Sequence, residues 1–267
     1  MKKCVTFLSI IVAMLLTACG GSTGKSKEDK SNSIKFETIS RKDTCYLDNT
    51  YAESPKYVSN ISVKVAECEN KEVEARINSS ILYTIFEYEN MRMDAAIDTF
   101  VSNAFTEYYD LRPEYFNEKQ MNRNPVWFNF EYDLKTDIEY GRNNTVIYEI
   151  ENFFFTGGAH PNTVVTYINF NPETGDEIRL DDIFKENYEE MLNNRLTDAL
   201  ANKIGAKSRK EIMEKGYLTF NDIYPTENFM LKEDSILFFY NRYDIAPYAT
   251  GTTTLGFSYE ELSDIMK

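Results

Sequence analysis

Histidine occurs once in this sequence, at position 160. A zinc site takes three or four ligands from Cys, His and carboxylate at defined spacing, and a Ser-His-Asp or Cys-His arrangement would have to be built on this one imidazole. No P-loop and no Gly-x-Gly-x-x-Gly string is present, so nothing announces phosphate or dinucleotide binding. A carboxylate pair for glycoside hydrolysis could be drawn from 43 acidic residues, but no spacing singles one out. A hydrolase of unrecognised type stays open as an alternative. The residue types favour a binding protein that is not an enzyme and needs no metal or cofactor.

Two strings could carry recognition. Thr156-Gly157-Gly158-Ala159-His160-Pro161-Asn162 combines glycines that permit positive φ with a proline that drives His160 towards extended backbone. It reads either as a structural turn or as a loop presenting His160 and Asn162 to a ligand. Tyr243-Asp244-Ile245-Ala246-Pro247-Tyr248-Ala249-Thr250-Gly251 is stiff and aromatic. Tyrosine on a rigid loop gives large contact area at small entropy cost, so Tyr243, Asp244, Ile245, Pro247 and Tyr248 are candidate ligand contacts. The alternative is a loop folded back over the core. Trp127, in a strand with Phe128 and Phe130, is expected to pack inward, stacking on sugar being the alternative.

A third constellation concerns a thiol. Lys2 and Lys3 precede the apolar run from Val5 to Leu16, broken only by Thr6 and Ser9, as in a secretory signal. That run spans roughly 18 Å as a helix, short of the bilayer core of about 30 Å. Leu16-Thr17-Ala18-Cys19-Gly20 follows and resembles a lipobox, in which small residues admit the peptidase and the thiol takes diacylglycerol. The expectation is a signal peptide over 1–18, lipidation of Cys19 and an extracytoplasmic protein held at a membrane by lipid. Gly20 in place of aspartate favours the outer membrane if the host is Gram-negative. Cys45 and Cys68 then remain in an oxidising compartment and are expected to form a disulfide, two separate buried thiols being the alternative.

Charge restricts the partners. The chain carries a formal net charge of −14, and loss of Lys2 and Lys3 makes the mature form more negative still. That argues against nucleic acid and permits a cationic partner.

These residues need elements to position them. Gly20–Ser33 holds no apolar residue and reads as a flexible tether, 19–33. Val58–Cys68 alternates as a strand. Ile77, Ile81 and Ile85, then Ile97, Val101, Phe105 and Tyr108, follow the helical period as two helices meeting near Asn90–Asp94, the second ended by Arg112-Pro113. Phe128–Leu134 with Ile138 and Tyr140, then Val146–Ile150, then Thr163–Phe170 read as an antiparallel meander. Phe184, Tyr188, Leu192, Leu196, Leu200 and Ile204 share one face of a helix. A hairpin turns at Glu233-Asp234, Thr252–Phe257 is the last strand, and Ser258-Tyr259-Glu260-Glu261 is a capping box predicting a terminal helix. The class is α+β, helices packed on antiparallel sheets, divided at 34–140 and 141–267.

Taken together, several strings resemble the RsiV C-terminal domain family. They are Gly157-Gly158-Ala159-His160, Asn169-Phe170-Asn171 with Thr174-Gly175, Leu180-x-Asp182-Ile183-Phe184, Phe238-Phe239-Tyr240, Ile245-Ala246-Pro247-Tyr248-Ala249 with Gly251, and Ser258-Tyr259-x-x-Leu262, over residues 145–265. Residues 57–140 look like the domain that precedes it there and in the deacetylase PdaC. The resemblance implies an α+β ligand-binding domain with lysozyme or another wall-associated protein as ligand. It does not bring anti-sigma activity, for only Met1–Cys4 precede the apolar stretch, nor deacetylase chemistry, which belongs to a separate catalytic domain. A lipoprotein for envelope maintenance or assembly, contacting peptidoglycan or another envelope protein, is the second functional expectation.

Overall fold

The structure is a computed structural model that describes residues 34–120, 126–219 and 221–267. The expected signal peptide, tether and lipidation at Cys19 lie outside the described residues.

Strands β1 (Lys35–Tyr46) and β2 (Lys56–Glu67) form an antiparallel hairpin in register from Lys35↔Glu67 to Tyr46↔Lys56. The chain then crosses over through three helices. Helix α1 (Lys71–Phe86) starts at Asn70, whose side chain accepts from the Glu72 and Val73 amides and satisfies two orphan donors of the first turn. Val73, Ile77 and Ile81 recur every four residues and are buried. Helix α2 (Met93–Tyr109) buries Ala96, Ile97, Val101, Phe105 and Tyr108. The second helix does stop near Arg112-Pro113, but a further helix, α3 (Arg112–Gln120), begins there. Pro113 sits in its first turn, where a missing N–H leaves no bond unmade.

The crossover lets β3 (Phe130–Tyr140) lie parallel to β2, with Tyr57 opposite Phe130. β4 (Val146–Phe155) and β5 (Asn162–Phe170) complete the expected antiparallel meander, and the order is β1-β2-β3-β4-β5. Side chains at Tyr132, Leu134, Tyr148, Ile150, Ile168 and Phe170 join the α1–α2 side in one core. The remaining segments are α4 (Leu180–Ile183), α5 (Glu189–Ile204), α6 (Arg209–Glu214) and a second sheet, β6 (Phe229–Leu231), β7 (Ser235–Tyr240) and β8 (Thr253–Ser258). Leu192, Leu196 and Leu200 of α5 are fully buried against Phe229, Phe238 and Tyr240. The class is α+β, as expected, with one parallel pairing in the larger sheet.

Several expectations need correction. The division at 140/141 falls inside a sheet, because β3 and β4 pair across it from Tyr140↔Val146 onwards; Gly141–Asn144 is a hairpin turn. The first core runs from Ile34 to Phe170 and the second from Leu180 to Ile265, so the cores change over between 170 and 180, and each closes among the described residues. The expected helix face beginning at Phe184 starts only at Glu189, since Phe184 caps α4 with an extended backbone. The Ser258 box forms, the Ser258 amide donating to Glu261 Oε2 at 2.7 Å and the Glu261 amide to Ser258 Oγ at 3.3 Å. Turns follow it instead of a helix, with Ile265 N–H donating to the Leu262 carbonyl. Leu262 and Ile265, three apart and both fully buried, match a three-residue turn period. Trp127 lies 41% exposed on a short 3-10 turn and does not pack inward.

The Cys45–Cys68 disulfide is also absent; both residues are buried thiols. Cys45 pairs in register with Tyr57 at one end of the β1–β2 hairpin, and Cys68 follows Glu67 at the other. Nearly the whole length of the hairpin separates them, roughly 35 Å at the rise of a β-strand. A disulfide requires Cα atoms within about 7 Å of each other. Thiol titration of the chain beginning at Gly20 should therefore register both thiols in denaturant without reductant and neither in the native protein. An absence of denatured thiol signal would contradict this register.

Candidate binding surface

The two strings singled out by composition meet in space. The turn 156–161 joins β4 to β5, and Gly157 holds φ +79° there. A Cβ on Gly157 would lie 2.3 Å from the Trp127 carbonyl oxygen, so glycine lets the turn rest directly on that backbone. The segment 241–251 leaves β7 alongside the outer edge of β5. Asn241 fastens it: its Oδ1 accepts from the Val165 amide at 2.8 Å and its Nδ2 donates to the Val165 carbonyl at 2.9 Å. Asp244 Oδ2 accepts from the Asn241 amide at 2.6 Å, and burial pushes the Asp244 carboxyl upward despite that bond. Tyr243 takes φ +72° and donates its amide to the Ala246 carbonyl. Ile245 joins the second core, Ala246 is buried beside it, and the Ile245 carbonyl accepts from the Leu218 amide.

With both segments fixed, Tyr248 stacks on His160, ring centroids 3.8 Å apart and planes at 20°. The Tyr248 hydroxyl donates to the Pro161 carbonyl at 2.8 Å. His160 Nδ1 lies 3.1 Å from that same carbonyl, which can only accept, so Nδ1 carries the hydrogen. Nε2 is left to receive the Tyr243 hydroxyl, a long contact of 3.5 Å. Tyr243 lies 5.8 Å from Tyr248, and the Arg242 guanidinium stands 5.0 Å from the Tyr248 ring centre, within cation–π range. The product is an exposed aromatic platform with a cation at its side; Tyr243 is 51% exposed.

The expected site residues divide. His160, Tyr243 and Tyr248 come together, with Pro247 opening the 3-10 turn that carries Tyr248. Ile245 is a buried anchor and Asp244 an internal brace. Asn162 opens β5 opposite Phe154, and its Oδ1 is buried without a hydrogen-bond partner among the described residues. Arg242 and Asn241 were missed. Arg242 adjoins the aromatic string and could have been included on that ground, whereas the role of Asn241 depends on β5, 76 residues away.

The outer face of the large sheet continues from this platform. Phe153, opposite Thr163, leads to a shallow groove of about 300 Å³ lined by Glu131, Asp133, Lys135, Glu151 and Phe153. Lys135 pairs with Glu151 at 2.9 Å, and no cation among the described residues pairs with Glu131 or Asp133. Among the described residues no group of three or more Cys, His or carboxylate side chains could hold a metal ion, and no helix is long and apolar enough to cross a membrane.

Residues 48–163 match the family described as deacetylase PdaC, and residues 181–260 match a protein family of unknown function, DUF3298. No curated protein matches the chain. Among solved structures, a DUF3298 family member from Bacteroides fragilis superposes with a TM-score of 0.78 at 25% identity, covering 89% of this chain and 95% of its own. A DUF3298 family protein from Pseudomonas aeruginosa shares the fold at a TM-score of 0.57 and 18% identity, covering 87% of this chain and 95% of its own. One region of the chain is thus similar to the PdaC family and another to DUF3298, and the fold is similar to that of solved DUF3298 proteins.

Proposed function

We propose that this chain is a lipid-anchored, extracytoplasmic binding module that takes a wall-associated protein of lysozyme type on the platform of His160, Tyr243 and Tyr248. It is not an enzyme in this reading. The convergence of two loops, far apart in sequence, into one exposed and internally braced aromatic stack carries the reading. Rigid tyrosines lose little entropy on contact, and such residues dominate interface energetics. The acidic groove beside them, in a chain of net charge −14, suits a basic partner and would steer its approach. The resemblance of residues 145–265 to the RsiV C-terminal domain family points to the same ligand class.

Calorimetric titration of the chain beginning at Gly20 with lysozyme tests this, at about 0.15 M salt, where the Debye length is about 8 Å. Saturable one-to-one binding is expected. Tyr248→Ala should weaken it by roughly tenfold or more, the loss of a central aromatic contact. No binding, or binding that Tyr248→Ala leaves unchanged, would refute the assignment.

A further inference from the structure

The five-stranded sheet ends differently on its two sides. At β5 the edge is sealed by side-chain amides: Asn241 serves Val165 on both its amide and its carbonyl, and Asn228 Oδ1 accepts from the Tyr167 amide. At β1 no strand pairs with the outer side among the described residues. Exposed edges are commonly blunted by shortness, proline, a bulge or charged side chains. Of these β1 has only charge. It is 12 residues long, lacks proline and keeps unbroken register with β2.

We infer that the β1 edge pairs antiparallel with the β1 edge of a second copy of this chain, about a two-fold axis at Ile39, which would make a continuous ten-stranded sheet. The observation behind this is the order of charges along Lys35-Phe36-Glu37-Thr38-Ile39-Ser40-Arg41-Lys42-Asp43. A two-fold axis perpendicular to a sheet sets each residue opposite one that faces the same side. With the axis at Ile39, Lys35 meets the second copy's Asp43 and Glu37 meets its Arg41, each pair occurring twice. Arg41 and Asp43 already pair within their own chain, and Arg41 also with Asp98, so Lys35 and Glu37, unpaired among the described residues, would extend that cluster across the edge. Shifting the axis to Thr38 sets Lys35 against Arg41; shifting it to Ser40 sets Glu37 against Asp43. The axis at Ile39 joins the most opposite charges: an axis at Phe36 or at Lys42 makes only one such pair, Lys35–Glu37 or Arg41–Asp43, and the latter also sets Lys42 against itself. Facing pairs of this kind decide strand register. β1 is also the place where two such acidic chains can meet, since it carries three cations against two acids in a protein of net −14. This edge lies across the sheet from the aromatic platform, so the pairing is independent of ligand binding there.

The test is sedimentation of the chain beginning at Gly20 across a concentration series. The wild type should pass reversibly from monomer to dimer. Lys35 and Glu37 are exposed and have no ion pair within their own chain among the described residues, so their substitution leaves the monomer fold intact. Lys35→Glu and Glu37→Lys should each weaken dimerisation by about tenfold or more, as two facing pairs turn from attraction to repulsion. Lys42→Glu makes the same charge change as Lys35→Glu but faces Phe36, and should leave the dimer nearly as strong. A monomer at every concentration would overturn the inference. So would a dimer indifferent to Lys35→Glu and Glu37→Lys, or one weakened equally by Lys42→Glu.

Discussion

Asn169→Leu is expected to destabilise the protein by about 2–6 kcal/mol, the sum of two buried backbone groups left unpaired at about 1–3 kcal/mol each. Asn169 is 2% exposed on β5. Its Nδ2 donates to the Phe229 carbonyl at 2.8 Å, and its Oδ1 accepts from the Leu231 amide at 2.9 Å. Its side chain therefore acts as a peptide group and joins β6 to the large sheet. Leucine has a similar volume and leaves no hole, so the loss isolates hydrogen bonding. Asn169→Asp should cost at least as much, because it turns a buried carboxylate towards the Phe229 carbonyl. Urea unfolding followed by circular dichroism reads both, as a lower midpoint at an unchanged slope. Asn228 and Asn241 make the same kind of link but are less buried, so their leucine variants should lose less. An Asn169→Leu midpoint equal to wild type would mean that the two cores do not depend on this junction.

The junction also shows where sequence reasoning stopped. Apolar periodicity located α1, α2, α5 and the strands from β2 to β8, because burial on one face writes a period of 3.6 or 2 into the sequence. β1 escaped. Its alternation is filled by charged and hydroxyl residues, Glu37, Ser40, Arg41 and Asp43 among them, since it is an edge strand with little to bury. The parallel β2–β3 pairing was equally silent, because pairing partners far apart in sequence leave no local mark. The boundary was misplaced for a related reason: Gly141–Asn144 carries the residues of a linker and of a hairpin turn alike. The sheet runs through that point, and a Cβ on Gly141 would meet the Leu231 carbonyl oxygen of β6. Asn169, Asn228 and Asn241 stand too far apart in sequence to form a readable pattern, although each replaces a strand partner for the peptide groups it meets.

The candidate surface was legible in parts but not as a whole. Turn chemistry marked 156–162 and aromatic content marked 243–251, yet nothing in either string foretold that Tyr248 would lie on His160. Within the second string the roles separate by burial. Ile245 anchors, Asp244 braces the backbone, Tyr243 is exposed and Tyr248 is half-buried beside it. Composition could not make that separation, because an anchor and a contact residue are both apolar and both sit on a stiff loop. The disulfide expectation failed on geometry: compartment and parity of cysteines bear on whether a bond could persist, while register decides whether two sulfurs can meet.

Gly157→Ala connects the fold to that surface and should damage both. A left-handed backbone costs a residue with a Cβ about 1–2 kcal/mol. Gly157 holds φ +79°. The added methyl would also lie 2.3 Å from the Trp127 carbonyl oxygen, a backbone atom that cannot rotate aside. The turn must then lift off the 3-10 segment beneath it, and the expected total loss is about 2–4 kcal/mol. Lifting the turn moves Pro161, whose carbonyl receives the Tyr248 hydroxyl, and with it the His160 ring. Ring stacking at 3.8 Å shifts the His160 side-chain protons upfield in a nuclear magnetic resonance spectrum, and Gly157→Ala should abolish most of that shift. Gly158→Ala provides the contrast. Gly158 has φ +103° but nothing within 4 Å of its Cβ position, so that change strains its own backbone without pushing the turn from Trp127. Retention of the upfield shift in Gly157→Ala would show that Asn241 and the Tyr243–Gly251 segment hold the stack without support from below. Its loss in both variants would place the control in the backbone conformation of the glycine pair and not in the contact with Trp127.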